Sequence, residues 1–296
     1  MALVGPTASG KSAVALALAR RYPELELVSV DSMQVYRGMD IGTAKPTPAE
    51  RAEVPHHLID LVDPWQEFTV AEFQRAFQET LATIEARGHR ALLVGGTGLY
   101  LRAVVDRLEI PGRFPQVRAE LEAEADTSRL HRRLAELDPP AAARMEPSNR
   151  RRVLRALEVT LGSGRPFSSY GPGLDTYPPS PYCLIGLRVP REELDERIAA
   201  RYRQQLDAGF LEEVRGLATD PRGMSRTARQ ALGYKELLEH LEGHGTLDEA
   251  LERAITRTRR FARRQLRWFR RDPRLVWIDA SSGHNPVGEL AHLLGD

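Results

Sequence analysis

Cysteine is almost missing: Cys183 is the one thiol in 296 residues. That excludes a disulfide framework and a cysteine-based zinc site within one chain, and it suits a reducing compartment. Lysine is nearly as scarce. Only Lys11, Lys45 and Lys235 occur, every other basic residue is arginine, and GC-rich codon usage accounts for the bias without reference to fold. Long apolar runs are absent too. No stretch approaches the roughly 20 residues of a membrane helix, so no membrane contact is expected. From Met1 the chain enters the strand-like Ala2-Leu3-Val4 directly, without a signal peptide. A cytoplasmic monomer is the expectation these absences leave.

The length allows one large domain, or one domain carrying a smaller insert. In the first third, strand and helix patterns alternate. Leu25–Val30 and Ala91–Val94 read as strands, and Val70, Phe73, Phe77, Leu81 and Ile84 recur at helical spacing before Gly88, a C-cap residue. Strand, helix, strand in that order implies an α/β fold with a parallel sheet and helices on both faces. From Pro111 to Pro181 the strand signal stops and helical stretches replace it. Strand signal returns at Tyr182–Val189. We therefore expect residues 1–110 and 182–296 to form the α/β core with a helical C-terminal part, and 111–181 to be an inserted all-helical domain. In the last third, Glu192–Leu206 and the basic stretch Leu247–Arg271 read as helices, Leu275–Ile278 as a strand and Val287–Leu294 as a final helix.

Gly5-Pro6-Thr7-Ala8-Ser9-Gly10-Lys11-Ser12 fits G-x-x-x-x-G-K-[ST] at every fixed position, after a strand and at the start of a helix. In such a P-loop the glycines let several backbone N–H groups face inward and cradle phosphate oxygens. The helix N-terminus adds partial positive charge, Lys11 adds a full one, and Ser12 can ligate Mg²⁺ or bond a phosphate. The motif announces a diphosphate or triphosphate without saying whether a phosphoryl group moves or the diphosphate departs as a unit.

Asp31 ends the strand Leu27-Val28-Ser29-Val30. In open α/β sheets, ligands lie beyond the carboxyl ends of strands, so Asp31 and the P-loop should share a crevice. The position suits a metal-holding acid, a general base, or a carboxylate that merely turns the chain. Gly95-Gly96-Thr97-Gly98 stands where NTPases often carry an acid, and none is present. His56-His57, near Asp60 and Asp63, shows no known metal-ligand spacing and reads as a solvated or core pair.

The net charge of +1 hides two basic clusters. Asn149–Arg155 holds Arg150, Arg151, Arg152 and Arg155. Arg257–Arg271 holds eight arginines and no acid, with Ile255, Phe261, Ala262, Leu266 and Phe269 able to line one helical face. Solvated helix faces usually mix signs, so the pattern favours a nucleic-acid surface.

Taken together, Gly5–Ser12, Asp31-Ser32-Met33-Gln34 running on to Pro46, Pro55-His56-His57-Leu58, Leu93–Tyr100, Arg155–Glu158, Gly233-Tyr234-Lys235 and Arg264–Trp268 resemble the tRNA dimethylallyltransferase family, in order and over nearly the whole chain. The resemblance implies transfer of a dimethylallyl group from dimethylallyl diphosphate to N6 of the adenosine 3′-adjacent to the anticodon, releasing diphosphate, with Mg²⁺ assisting. It makes Asp31 the general base, places Thr7 near the donor and Arg201 on the departing diphosphate. It sets Asp31, Ser32, Met33, Gln34, Thr97, Arg118, Arg151, Arg152, Arg155, Gln230, Gly233, Tyr234 and Lys235 against the tRNA anticodon stem-loop. To these the charge pattern adds Arg263, Arg264 and Arg267. The zinc finger of eukaryotic relatives is missing, which points to a bacterial-type enzyme. Three other readings stand beside this one: an isopentenyltransferase acting on free adenylate, a P-loop small-molecule kinase, and a non-catalytic RNA-binding protein. The last leaves the complete P-loop unexplained.

Overall fold

The computed structural model describes residues 1–294. Strand β1 (Ala2–Val4) leads into helix α1 (Lys11–Arg21), followed by β2 (Leu25–Val30), α2 (Pro48–Glu53) and a two-residue β3 (His56–His57). Helix α3 (Val70–Ala86), β4 (Arg90–Gly95) and α4 (Gly98–Val105) close the first stretch. The next four helices are α5 (Pro115–Glu122), α6 (Thr127–Leu137), α7 (Pro139–Ala143) and α8 (Arg150–Ser163). The chain then runs through β5 (Leu184–Arg188), α9 (Arg191–Asp207), α10 (Phe210–Ala218), α11 (Arg226–Arg229), α12 (Tyr234–Leu241), α13 (Leu247–Phe269), β6 (Leu275–Asp279) and α14 (Pro286–Leu294). Two compact units result: residues 1–105 with 179–296, and residues 106–178.

The six strands make one parallel sheet in the order β3-β2-β4-β1-β5-β6. β1 is wholly buried and β2 nearly so, as a sheet covered on both faces requires. From β1 the chain steps across β4 to β2, whereas β4, β5 and β6 succeed one another in the opposite direction. With right-handed crossovers, these two directions lay their helices on opposite faces. Accordingly α14 packs against α1, while α13 packs against α4 and α9. The reversal occurs around β1, and the crevice beyond the carboxyl end of that strand is where α/β sheets bind ligands.

Local chemistry explains the main elements. Thr69 and Glu72 form a reciprocal capping box that starts α3, and Phe73, Phe77 and Ile84 are its buried stripe. Gly88, at φ 74°, ends it and donates its N–H to the Glu85 carbonyl at 2.9 Å. Between Asp31 and α3, where the sequence pattern assigns no element, the chain forms α2 and β3. The His pair is engaged by protein: His57 Nε2 lies 2.5 Å from Glu26 and His56 Nδ1 lies 2.7 Å from the Val54 carbonyl. Burial pushes the Glu26 carboxyl up, but hydrogen bonds from Arg87, His57 and His89 outweigh it and leave the group below the ordinary carboxylate value.

Within residues 106–178 all regular structure is helical. Leu121, Leu130, Leu134, Val153, Leu154 and Leu157 are the centre of a separate core. Glu158, nearly buried beside it, accepts from the Phe114 amide at 2.9 Å and from Arg155 at 2.7 Å, with Arg118 3.8 Å away. Arg150 is tied to the carbonyls of Glu122, Glu124 and Ala125. Arg151 and Arg152 are exposed, and neither side chain has a protein partner among the described residues.

Candidate active site

The P-loop wraps as its sequence requires. Gly10 at φ 87° makes the turn into α1, and Ala8 adopts φ 64°, a conformation that costs a non-glycine residue energy and recurs at ligand-binding loops. A Cβ on Gly5 would come 2.9 Å from Ser9 Oγ and 3.0 Å from the Leu187 carbonyl. Ser9 Oγ is buried without a hydrogen-bond partner. Lys11 Nζ donates to the Pro6 carbonyl at 3.1 Å, folded back over its own loop. Burial pushes the Lys11 ammonium down to about 8; the Asp31 carboxylate offsets part of that and Arg201 adds to it.

Two recesses meet over this loop. One, of about 360 Å³, is lined by P-loop residues Thr7–Ser12 other than Ser9, by Asp31 and Gln34, and by an apolar wall that includes Leu16, Leu27, Ile59 and Val94. The other, of about 310 Å³, is lined by Asp31, Ser32, Met33, Thr97, Gln230, Tyr234, Phe261 and Arg264 among others. Thr7, Asp31, Thr43 and Arg201 belong to both. Asp31 Oδ1 accepts from the Met33 amide at 2.8 Å, and Oδ2 has no protein hydrogen bond among the described residues. The carboxylate is thus fixed through one oxygen, with the other left for a ligand.

Arg201 projects from α9 to the junction of the recesses. Its Nε is buried and unpartnered. Burial pushes the guanidinium down from its ordinary value, opposed by Tyr202 and Asp31. An arginine stays charged nonetheless, and a buried guanidinium without an anion is unfavourable until one arrives. Lys11, Arg201 and the P-loop amides therefore make an anion site, with a proton acceptor at its border.

The loop after Asp31 is held from outside the sheet. Glu213 accepts from the amides of Asp40, Ile41 and Gly42 and from the Tyr234 hydroxyl, at 2.5–3.2 Å. Gln205 donates to the carbonyls of Ile41 and Gly42. Lys45 Nζ is buried between Asp40, Asp60 and the Tyr36 carbonyl, 2.6 Å from each. None of these links is visible in the local sequence.

The site residues expected from sequence sort into four groups. Thr7, Ala8, Gly10, Lys11, Ser12, Asp31–Gln34, Thr97, Arg201, Gln230 and Arg264 line the two recesses, whereas Gly5, Pro6 and Ser9 line neither. Tyr234 shapes one wall, but it is buried with its hydroxyl given to Glu213. The Gln34 amide is occupied by Ser29 and by the carbonyls of Thr43 and Ala44. Arg263 and Arg267 lie on α13 alongside Arg264. Gly233 is a tight turn at φ 84°, and Lys235 lies 3.6 Å from Glu239. Arg118, Arg151, Arg152 and Arg155 belong to the helical unit. The buried face of α13 differs from the sequence reading: Ala250, Ala254, Thr258, Ala262, Gln265 and Phe269 are buried, while Ile255, Phe261 and Leu266 are half-buried. Two polar residues on that face have partners. Thr258 meets the Tyr202 hydroxyl, and Gln265 reaches the P-loop.

An anion nest, a buried guanidinium and a free carboxylate oxygen define a P-loop protein equipped for group transfer from a phosphorylated donor. The profile of the IPP transferase family matches residues 34–272, and that of isopentenyl transferase matches residues 1–63. A tRNA dimethylallyltransferase of Kineococcus radiotolerans is 50% identical over 295 residues, covering 97% of this chain and 92% of the relative. One from Streptomyces coelicolor is 50% identical over 281 residues, with 94% and 89% covered. Among solved structures, the full-length tRNA isopentenylpyrophosphate transferase of Bacillus halodurans is 39% identical with a TM-score of 0.73, covering 99% of this chain and 94% of that one. A eukaryotic dimethylallyltransferase acting on tRNA superposes with a TM-score of 0.82 at 25% identity, covering 99% and 77%. The chain belongs to the IPP transferase family.

Proposed function

We propose that the chain transfers a dimethylallyl group from dimethylallyl diphosphate to the exocyclic N6 of the adenosine 3′-adjacent to the anticodon of tRNA. The observation that carries this reading is the junction of two recesses at Asp31 and Arg201, one floored by the P-loop and the other bordered by the arginines of α13. The diphosphate occupies the P-loop side, with its allylic chain along the apolar wall. The purine occupies the other. Extruding it from its stack costs a few kcal/mol, less for a loop base than for a paired one.

Adenine N6 is a poor nucleophile because its lone pair is delocalised into the ring. As the C–N bond forms, Asp31 Oδ2 takes the N6 proton while the allylic C–O bond breaks and its electron pair leaves with the diphosphate. Charge grows on that leaving group, so the preplaced cations Lys11 and Arg201 and the loop amides stabilise the transition state more than the ground state. Thr7, bordering both recesses, lies beside the reacting centre. The donor set also fits Mg²⁺. Ser12, at the first turn of α1 and lining the recess, would offer one hydroxyl, the sparse protein ligation of an ion carried in on phosphates. When bound, Mg²⁺ neutralises diphosphate charge.

The RNA lies against Ser32, Met33, Thr97, Gln230 and Arg264, with Arg263 and Arg267 on phosphates, and the helical insertion contributes Arg118, Arg151, Arg152 and Arg155. The reading assigns the activity to a monomer. Among the described residues no helix is long and apolar enough to cross a membrane; the cytoplasmic place we assign rests on the tRNA substrate.

The deciding experiment incubates the protein with labelled dimethylallyl diphosphate and unmodified tRNA, with free AMP in parallel. Label on the tRNA adenosine is expected. Label on AMP alone, or ATP turnover without prenyl transfer, would overturn the reading. Reversing Arg263 and Arg264 to glutamate is expected to weaken tRNA binding and lower its salt slope by about two, leaving donor affinity intact. Equal slopes for variant and parent would remove the phosphate contacts from α13.

A further inference from the structure

We infer that Gln265 is a positioning residue, whose side-chain amide sets the P-loop against the turn that carries Thr97; the inference rests on the reaction proposed above. Gln265 is buried on α13. Its Oε1 accepts the Thr7 amide at 2.9 Å, and its Nε2 donates to the Gly96 carbonyl at 2.8 Å. Thr7 follows β1 and Gly96 follows β4, so one side chain ties two loops at the carboxyl edge of the sheet. The side-chain amide does both with separate atoms, an oxygen that accepts and an NH₂ that donates. The link continues: Thr97 Oγ1 accepts from the Ser32 amide at 3.2 Å, directly after Asp31.

The glycines of the β4–α4 turn fit this role. Neither Gly96 nor Gly98 has a positive φ, so conformational freedom does not require them. Close approach does. A Cβ on Gly96 would lie 2.3 Å from Gln265 Nε2, and one on Gly98 would lie 2.1 Å from Trp268 Nε1. Gln265 and Trp268, three apart on one helix face, dock into the two gaps. Gln265 borders the second recess but is not a reacting group. It fixes Thr7, at the edge of the donor, relative to Thr97, at the edge of the acceptor, and a displacement of about 1 Å between such groups can cost about 100-fold in rate.

The test compares Q265M, Q265E and G96A with the parent in single-turnover transfer from dimethylallyl diphosphate to tRNA, both substrates saturating. Methionine keeps the volume and loses both bonds; glutamate keeps the acceptor but turns a carboxylate toward the Gly96 carbonyl; the methyl group added by G96A displaces the side-chain amide without altering it. Each variant is expected to slow the chemical step roughly 10- to 100-fold with donor and tRNA dissociation constants little changed. The double variant G96A/Q265M should be no slower than the worse single one, because both remove the same link. Hydrogen exchange supplies a readout independent of transfer: in Q265M, protection of the Thr7 amide should fall roughly tenfold while the strands keep theirs. An unchanged rate, additive losses, a loss carried wholly by tRNA affinity, or an unaltered Thr7 amide overturns the inference. Failure of the parent to prenylate tRNA would count against the reaction instead, and the exchange result would still decide the link.

Discussion

Asparagine at position 31 is expected to slow the chemical step of prenyl transfer by about 100- to 10,000-fold, the range of a removed general base. The substitution is conservative in shape. Asparagine Oδ1 can still accept the Met33 amide, the one hydrogen bond that the Asp31 side chain makes among the described residues, so the loop keeps its turn. The change removes basicity and one negative charge beside Lys11 and Arg201. Donor affinity should therefore hold or rise, since the site becomes more positive. Single-turnover kinetics with both substrates bound separates these effects. An unaltered rate constant would strip Asp31 of the proton-transfer role, and a loss confined to affinity would make it a binding residue.

Removing Lys11 should have a comparable effect through the leaving group. K11M is expected to weaken donor binding and to lower the single-turnover rate by about 100- to 1,000-fold, as loss of one preplaced cation or donor does in other anion-stabilising sites. The wild-type protein carries a pH signature of the same group. Burial holds the free ammonium at about 8 instead of the roughly 10.4 of an exposed lysine. Lys11 is charged below that value and neutral above it. Donor affinity should accordingly be highest below about pH 8 and decline as pH climbs through it, approaching tenfold per unit. Donor binding in that window should be accompanied by proton uptake. K11R, whose guanidinium stays charged, should flatten the profile between pH 7 and 9 (whatever its absolute affinity). A wild-type profile that is already flat would show that Lys11 does not titrate there.

What the sequence made legible was local. The P-loop is a run of eight residues whose spacing dictates its own conformation, and Asp31 is marked by the strand it ends. β2 and β4 were readable because a sheet covered on both faces needs apolar runs. β3 was not, because two histidines paired to β2 carry no pattern of their own. Helices α10 to α12 are short and their stripes incomplete. The fastening of the 31–46 loop lay out of reach for another reason: Gln205 and Glu213 are more than 160 residues away along the chain, and on their own helices they look like ordinary surface polar residues. Gln265 did leave a trace, in the pairing of two glycines two apart with a glutamine and a tryptophan three apart. Close approach, not turn geometry, gave those glycines their purpose. The arginine clusters divide in a way that composition could not show. Arg150, Arg155, Arg257 and Arg259 have protein partners, whereas Arg151, Arg152, Arg260, Arg263 and Arg267 have none among the described residues.

The two recesses share Thr7, Asp31, Thr43 and Arg201 and are otherwise lined by different residues. A single synthetic compound can take advantage of that. A stable diphosphate mimic joined through a five-carbon spacer to the amino nitrogen of a purine would fill both chambers at once. The spacer converts the second engagement into an intramolecular one, so such a bisubstrate compound should bind about 100- to 10,000-fold more tightly than either half alone. Lengthening or shortening the spacer should forfeit the gain.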